Sequence, residues 1–196
     1  MRLKNHWFRP GAKTPEAIAS AAAFMTWRIA QDALKTMRAA GYDLPPGGRY
    51  FAFVAEFLLF LALGADRLAH ARGDEPWRVA FTTAFVRRVG EILAENESYL
   101  LGADTVGDVR RRFVDLFNQC AAECAGFDWT DAGPDYAFLR FFGHRVAAVM
   151  DDRDGTWAVA QVIEVQGPDA AALLHRAIGG LLDPSPRPAR SHAAGD

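Results

Sequence analysis

Residues 49–72 read RYFAFVAEFLLFLALGADRLAHAR, and this stretch decides the fold. Wound as a helix, it carries apolar side chains on nearly every side, as a helix enclosed by neighbouring elements must. Its most apolar part, residues 51–63, contains Glu56 and falls short of the ~20 apolar residues that a membrane-spanning helix needs. We therefore predict a central buried helix over residues 49–72 and no membrane segment.

The composition is that of an ordinary globular protein. Hydrophobic residues make up 51% and charged residues 23% of the 196-residue chain, which excludes a disordered, collagen-like or rod-shaped protein. The length suits one domain with a sizeable core. Because the net charge is only −2, the chain has no strong field toward nucleic acid or an anionic membrane, and we predict neither as a partner.

Capping residues predict helices on both sides of the central one. Thr14 can cap a first helix that has Pro15 at its first position and runs to about residue 40. Asp74 can cap a third helix that runs towards residue 96. Since the connection between the second and third helices is short, we expect them to pack antiparallel.

The second half of the chain predicts further helices. Thr105 and Asp108 resemble a capping box at the start of a fourth helix, and Asp135 follows a Gly–Pro turn and opens a fifth. Gly167 and Pro168 break the helical pattern, so the last helix is expected to start at residue 169. Its apolar positions are Leu173, Leu174, Ala177, Ile178 and Leu181.

Residues 145–165 allow two interpretations. Asp154–Gly155 is a dipeptide typical of hairpin turns, and residues 156–165 are rich in Val, Ile and Trp, which together permit a small β-hairpin. Residues 145–150, however, continue a helical stripe, and we favour a helix. The predicted fold is an all-α single-domain bundle of six or seven helices around the central apolar helix 49–72, with a possible small β-hairpin near residues 145–165.

The two ends of the chain differ from this bundle, which we assign to residues 14–182. Residues 1–13 form a basic arm with interleaved aromatic side chains and are expected to be flexible. Residues 183–196 contain three prolines and little to bury, and are expected to be a disordered tail.

The chain is predicted to be cytoplasmic. Its beginning loosely imitates a secretory signal, but Pro15 and Glu16 interrupt the pattern. Cys120 and Cys124 are too few for a disulfide framework and lie four residues apart on the apolar stripe of one helix, so we predict reduced thiols that pack in the core. Only three of the 22 basic residues are lysine, a bias that indicates a GC-rich, bacterial genome.

Glu56 is the strongest candidate for a site residue. An unpaired carboxylate inside so apolar a helix would cost several kcal/mol, so Glu56 must be paired, protonated or bound to a ligand. Arg28 on the first helix and Arg145 on the fifth are candidate partners, and His144 lies beside Arg145 in the sequence. The predicted ligand-binding residues are therefore Glu56, Arg28, His144 and Arg145.

No metal site or cofactor is specified by the sequence. A carboxylate cluster is conceivable where Glu56 lies level with Glu91, but the Glu-x-x-His pair of di-metal bundles is missing from the sequence. Asp66 and His70 share a helix face and are too few to hold a metal by themselves. Glu91 and Glu95 are expected to form solvated ion pairs with the arginines at 110–112.

Two functions remain open from the sequence. The first is a non-enzymatic interaction or assembly module that binds a protein partner or a second copy of itself. The alternative is a ligand- or metal-binding bundle, enzymatic or not, with an interior site near Glu56. No residue can be assigned a catalytic role, and whether the protein is an enzyme stays open.

Overall fold

The structure, a computed structural model, describes residues 14–102, 106–151 and 153–182. In chain order its elements are α1 (Pro15–Ala39), α2 (Gly48–His70), α3 (Glu75–Leu101), α4 (Val106–Glu123), β1 (Trp129–Thr130), β2 (Gly133–Pro134), α5 (Tyr136–Val149), α6 (Gly155–Gln161), a π-helical segment (Val162–Gln166) and α7 (Gly167–Leu182). Since α6, the π segment and α7 follow one another without a break, the described residues form six helical rods. The all-α prediction is confirmed. The predicted arm and tail, and the predicted cap Thr105, lie outside the described residues.

Side chains at the predicted positions cap three of the helices. The N–H of Ala17 donates to Oγ1 of Thr14 at 3.3 Å, and the N–H of Trp77 donates to Oδ1 of Asp74 at 2.9 Å. Asp135 accepts in the same way from the N–H of Phe138 at 2.7 Å. Each cap satisfies one of the N–H groups that a helix start leaves without an intrahelical partner, which is why these starts could be predicted.

Helix α2 is the centre of the bundle, as its sequence predicts. It packs against α1, α3, α4, α5 and α7, and its residues 51–65 are buried almost without interruption. The hairpin of α2 and α3 is antiparallel and is tied by Thr82, whose hydroxyl donates to Asp66 Oδ1 at 2.7 Å. No helix of the described residues combines the length and the apolarity that crossing a bilayer requires.

The two-residue strands β1 and β2 form the only sheet among the described residues, and they position Trp129. Trp129 pairs with Pro134 in this antiparallel ladder, and its indole is buried against the rings of Phe60 and Phe138. The indole also lies over Gly64 of α2, where an added Cβ would come within 2.4 Å of the ring. Gly64 therefore lets the connection between α4 and α5 close over the central helix.

Residues 145–149 and 155–165 are helical, so the hairpin alternative does not apply to them. Residues 145–149 finish α5, and α6, which begins at Gly155, packs against α5. Asp154, which the alternative placed in a hairpin turn, is buried before α6, and its Oδ2 accepts the N–H of Asp43 at 2.9 Å. This hydrogen bond joins the start of α6 to the loop between α1 and α2.

The predicted break at Gly167 and Pro168 is wrong, because a π-turn absorbs it. The N–H of Gly167 donates to the carbonyl of Val162, five residues back, where an α-helix would use the residue four back. Proline has no N–H to donate and its ring clashes with the carbonyl four residues earlier in a regular α-helix, so the wider turn accommodates Pro168 without ending the rod. Gly167 is also required for space, since a Cβ there would lie 2.5 Å from Cδ2 of Leu139.

Candidate functional site

Glu56 of α2 and Arg145 of α5 form a bidentate ion pair. The Nε of Arg145 donates to Oε2 of Glu56 at 2.6 Å, and its Nη2 donates to Oε1 at 2.9 Å. The Glu56 side chain is 9% exposed and the Arg145 side chain 24% exposed, so the carboxylate is enclosed while the guanidinium still reaches solvent. The face of the Phe141 ring lies 5.8 Å from the guanidinium carbon. Of the three states that the sequence allows for Glu56, the structure therefore has the paired one.

Burial dominates the electrostatics of this pair. Loss of water around the Glu56 carboxyl raises its pKa, and the hydrogen bond and charge of Arg145 lower that pKa only in part. Arg145 stays charged at any pH at which the protein folds. Burial therefore disfavours the ionised form of Glu56, and the charge and hydrogen bonds of Arg145 offset part of that cost.

The other two predicted ligand-binding residues do not meet Glu56. Arg28 is exposed on α1, and His144 is exposed on α5, although it is adjacent in sequence to Arg145. Residues 144 and 145 diverge because consecutive residues of a helix point about 100° apart. The structure thus brings together two of the four residues, Glu56 and Arg145, and leaves Arg28 and His144 on the surface.

Aromatic rings fill the interior next to this pair. Phe60 and Phe142 stack with ring centroids 4.1 Å apart, and Phe57 meets Phe142 edge-on at 4.8 Å. The cavity left beside Glu56 and Arg145 has a volume of about 10 Å³, room for about one water molecule. An organic ligand has no space there unless the phenylalanine rings move.

The remaining candidates from the sequence have structural roles. Asp66 accepts from Thr82 and lies 3.3 Å from Nε of Arg78, whereas His70 is exposed. Glu91 lies 3.7 Å from Arg110, as the ion-pair prediction for α3 and α4 requires. For Glu95 that prediction is wrong, because its carboxylate pairs with Arg88 of the same helix at 3.4 Å. The conceivable cluster of Glu56 with Glu91 does not form, because the two carboxylates are turned to different helices. Within the described ranges no group of three or more His, Cys, Asp or Glu side chains is placed to hold a metal.

Cys120 and Cys124 are buried free thiols, and their predicted place in the core is confirmed. Burial raises the pKa of Cys120, and burial together with the neighbouring Cys120 raises the pKa of Cys124 to about 12. Both sulfurs therefore stay protonated at neutral pH. A protonated, enclosed thiol is a poor nucleophile and a poor metal ligand.

Larger clefts lie on the surface, one on each side of α7. The first, which we call the α1–α7 groove, has a volume of about 220 Å³ and is lined by Ile29, Asp32, Ala33, Thr36, Gln166, Asp169, Ala170, Ala172, Leu173 and Arg176. The second, the turn groove, has a volume of about 370 Å³ and is lined by Asp131, Ala132, Gly133, Pro134, Leu139, Pro168, Ala171, Ala172 and His175. Ala172 lines both, so the two grooves flank a single line of residues on α7.

This line of residues, which we call the α7 ridge, consists of Asp169, Ala172, Leu173 and Arg176. All four are exposed, and their spacing of three and four residues places them on one face of the helix. The opposite face, with Leu174 among its residues, is buried against the bundle. Leu173 is one of the apolar positions predicted for the buried face of this helix, and that prediction is wrong, because Leu173 points outward with 37% of its surface exposed.

The π-turn sets one wall of the α1–α7 groove. Gln166, its last residue, is 3% exposed, and its Nε2 has no hydrogen-bond partner among the described residues. A buried amide nitrogen without an acceptor costs free energy, and π-turns occur frequently at functional sites. Sequence reasoning missed this residue because it placed the end of a helix there. The available signal was the Gly167–Pro168 pair inside an otherwise continuous helical pattern.

No protein-family model, curated protein or solved structure matches this chain.

Proposed function

We propose that this protein is a non-enzymatic interaction or assembly module, and that its contact surface is the α7 ridge with the two grooves that flank it. The observation that carries the proposal is the difference in volume between the interior cavity and the surface clefts. The space beside Glu56 is about 10 Å³, whereas clefts of about 220 and 370 Å³ open at the surface along α7. A helix ridge between two clefts is the shape that another helix packs against, because ridges of one helix fit the grooves beside another.

The chemistry of this surface also supports a protein partner. Its centre, formed by Ala172 and Leu173, is apolar, and the charged side chains of Asp169 and Arg176 lie at its two ends. An apolar centre inside a polar rim is the usual anatomy of a protein–protein contact.

Glu56 and Arg145 have a structural role in this proposal. Their bidentate hydrogen bonds satisfy the buried carboxylate and fix α5 against α2, so no ligand is needed to explain Glu56. We place the protein in a bacterial cytoplasm as part of the same proposal. The free thiols Cys120 and Cys124 and the bias toward arginine support that setting.

Site-specific photo-crosslinking in living cells tests the proposal. A photoreactive amino acid at Ala172 is expected to trap a protein partner in good yield. The same amino acid at Ala122, which is exposed near the end of α4, is the matched control and is expected to trap little. Equal yields at the two positions, or no adduct from Ala172, would contradict the proposed surface.

Native mass spectrometry of the purified chain tests the interior alternative at the same time. We expect masses that correspond to protein chains alone. A small molecule or metal that stays bound, and that is lost in Glu56→Leu while the fold is retained, would instead support an interior site.

A further inference from the structure

We propose that the partner at this surface is a second copy of the chain, and that the two α7 ridges pack antiparallel about a two-fold axis between Ala172 and Leu173. This inference rests on the proposed function and names the occupant of the same surface. It follows from how charge and shape are arranged along the ridge.

The charges of the ridge are opposite at its two ends. Asp169 stands at one end and Arg176 at the other, both exposed, and no ion pair engages either of them within the described residues. They are seven residues apart, about 10 Å along the helix axis, and they lie on one face. The midpoint between them falls between Ala172 and Leu173.

An antiparallel pair of ridges centred on that midpoint matches every charge with its opposite. Asp169 of one copy lies level with Arg176 of the other, and the two-fold symmetry repeats the pair at the far end. A parallel pair would place Asp169 beside Asp169 and Arg176 beside Arg176, which repels at both ends. The charge order therefore selects the antiparallel arrangement of two identical helices.

The shape of the surface is also self-complementary. A two-fold contact requires that each copy offers both a projection and the hollow that receives it, side by side. Here the α7 ridge borders the α1–α7 groove, so the ridge of each copy can lie in the groove of the other. Ala172 lies next to the axis, where a small side chain allows two helices to approach closely.

The groove adds one further charge, and that charge is already paired. Asp32 of α1 lines the groove and lies 2.8 Å from Nζ of Lys35 one turn further along α1. Arg176 is therefore the unpaired cation of this surface and Asp169 its unpaired anion, among the described residues. Binding of an unrelated protein would explain why this surface is exposed. It would not explain why Asp169 and Arg176, of opposite charge, lie at equal distances from the centre of the α7 ridge.

Sedimentation equilibrium of the full chain at low ionic strength tests this arrangement. The parent protein is expected to be a dimer that weakens as salt is added, because its rim charges become screened. Asp169→Arg and Arg176→Asp are each expected to weaken the dimer by about tenfold or more, since each converts two attractive pairs into two repulsive ones. The double variant, which carries both changes, restores opposite charges at both ends and is expected to dimerise like the parent.

Mixing the two single variants is the sharpest arm of the experiment. One variant then carries arginine at 169 and 176, and the other carries aspartate at both, so an antiparallel heterodimer has two attractive pairs. We expect each variant alone to dimerise about tenfold or more weakly than the parent and the mixture to form a heterodimer about as tightly as the parent dimer, a result that also shows both variants to be folded. Asp115→Arg and Arg112→Asp, at exposed positions of α4, are the matched controls and are expected to leave the dimer unchanged.

The outcomes separate this inference from the proposed function. A parent protein that stays monomeric, a dimer that ignores both single variants, or a mixture that fails to associate would overturn the inference. If adducts from Ala172 then contain a different protein, the surface binds another partner and the proposed function stands. If Ala172 yields no adduct at all, the proposed function fails with it.

Discussion

Removing Arg145 is expected to destabilise the protein far more than removing Glu56. In Arg145→Leu the Glu56 carboxylate loses both hydrogen bonds and remains enclosed, with 9% of its side chain exposed. Breaking a buried pair in this way costs about 3–5 kcal/mol of unfolding free energy. In Glu56→Leu the guanidinium that is left is 24% exposed and can turn to water, while the new leucine joins an apolar helix. We expect Glu56→Leu to lie within about 1 kcal/mol of the parent.

Lowering the pH should rescue Arg145→Leu in part. Without Arg145 nothing opposes the burial that raises the pKa of Glu56, so the folded variant holds a proton on this carboxyl more tightly than the unfolded chain does. A group whose pKa is raised in the folded state contributes stability that is complete below the unfolded value, about 4.3 for glutamate, and is lost as the pH rises through the folded value. The deficit of Arg145→Leu relative to the parent is therefore expected to shrink between about pH 7 and about pH 5.

Urea unfolding followed by circular dichroism measures these differences. Arg140→Leu is the matched control, because Arg140 is exposed on the same helix and its loss should change the free energy of unfolding by no more than about 0.5 kcal/mol. The buried-charge explanation would be refuted if Glu56→Leu were as damaging as Arg145→Leu. It would be refuted equally if the deficit of Arg145→Leu were independent of pH.

Three further predictions concern the core and the tail. The double change of Cys120 and Cys124 to alanine should lower the free energy of unfolding by about 1–3 kcal/mol, as a core truncation does, without changing the metal content. In the parent protein a thiol reagent should react only on unfolding, because both thiols are buried and the pKa of Cys124 is raised to about 12. Gly64→Ala should cost about 1–3 kcal/mol or more and shift the tryptophan fluorescence, because the new methyl group would meet the Trp129 ring at 2.4 Å. Deleting residues 184–196 should change the free energy of unfolding by no more than a few tenths of a kcal/mol, measured as a nearly unchanged melting temperature.

Helix starts and the central helix could be predicted because the chemistry that fixes them is local. Thr14, Asp74 and Asp135 each cap an N–H three residues ahead in the sequence, so the pattern and its consequence lie in one short window. The burial of α2 is equally visible, because a helix with apolar residues on all sides has no other stable environment in water. Both properties follow without knowledge of which helix lies beside which.

Partner choice across the bundle could not be predicted from such windows. The sequence offers Arg28 and Arg145 to Glu56 on equal terms, and the packing of α5 on α2 decides for Arg145, 89 residues away. The burial of Trp129 is equally hidden, because its neighbours in the sequence, Asp128, Thr130 and Asp131, are polar. Its burial depends on the gap that Gly64 leaves in a distant helix, and no local pattern records that gap.

The π-turn shows how a reliable local rule leads to a wrong boundary and hides a surface. Glycine followed by proline normally ends a helix, and taken by itself the pair at 167 and 168 predicts a loop. Here Gly167 sits so close to Leu139 of α5 that tertiary packing holds the rod together, and one wider turn removes the conflict with Pro168. The extra residue also shifts the phase of the helix after the turn, so faces projected from residues before the turn do not apply to those after it. The outward position of Leu173, and with it the exposure of Asp169 and Arg176 on one face, depends on which side of α7 packs against the bundle, and no short window of sequence records that contact.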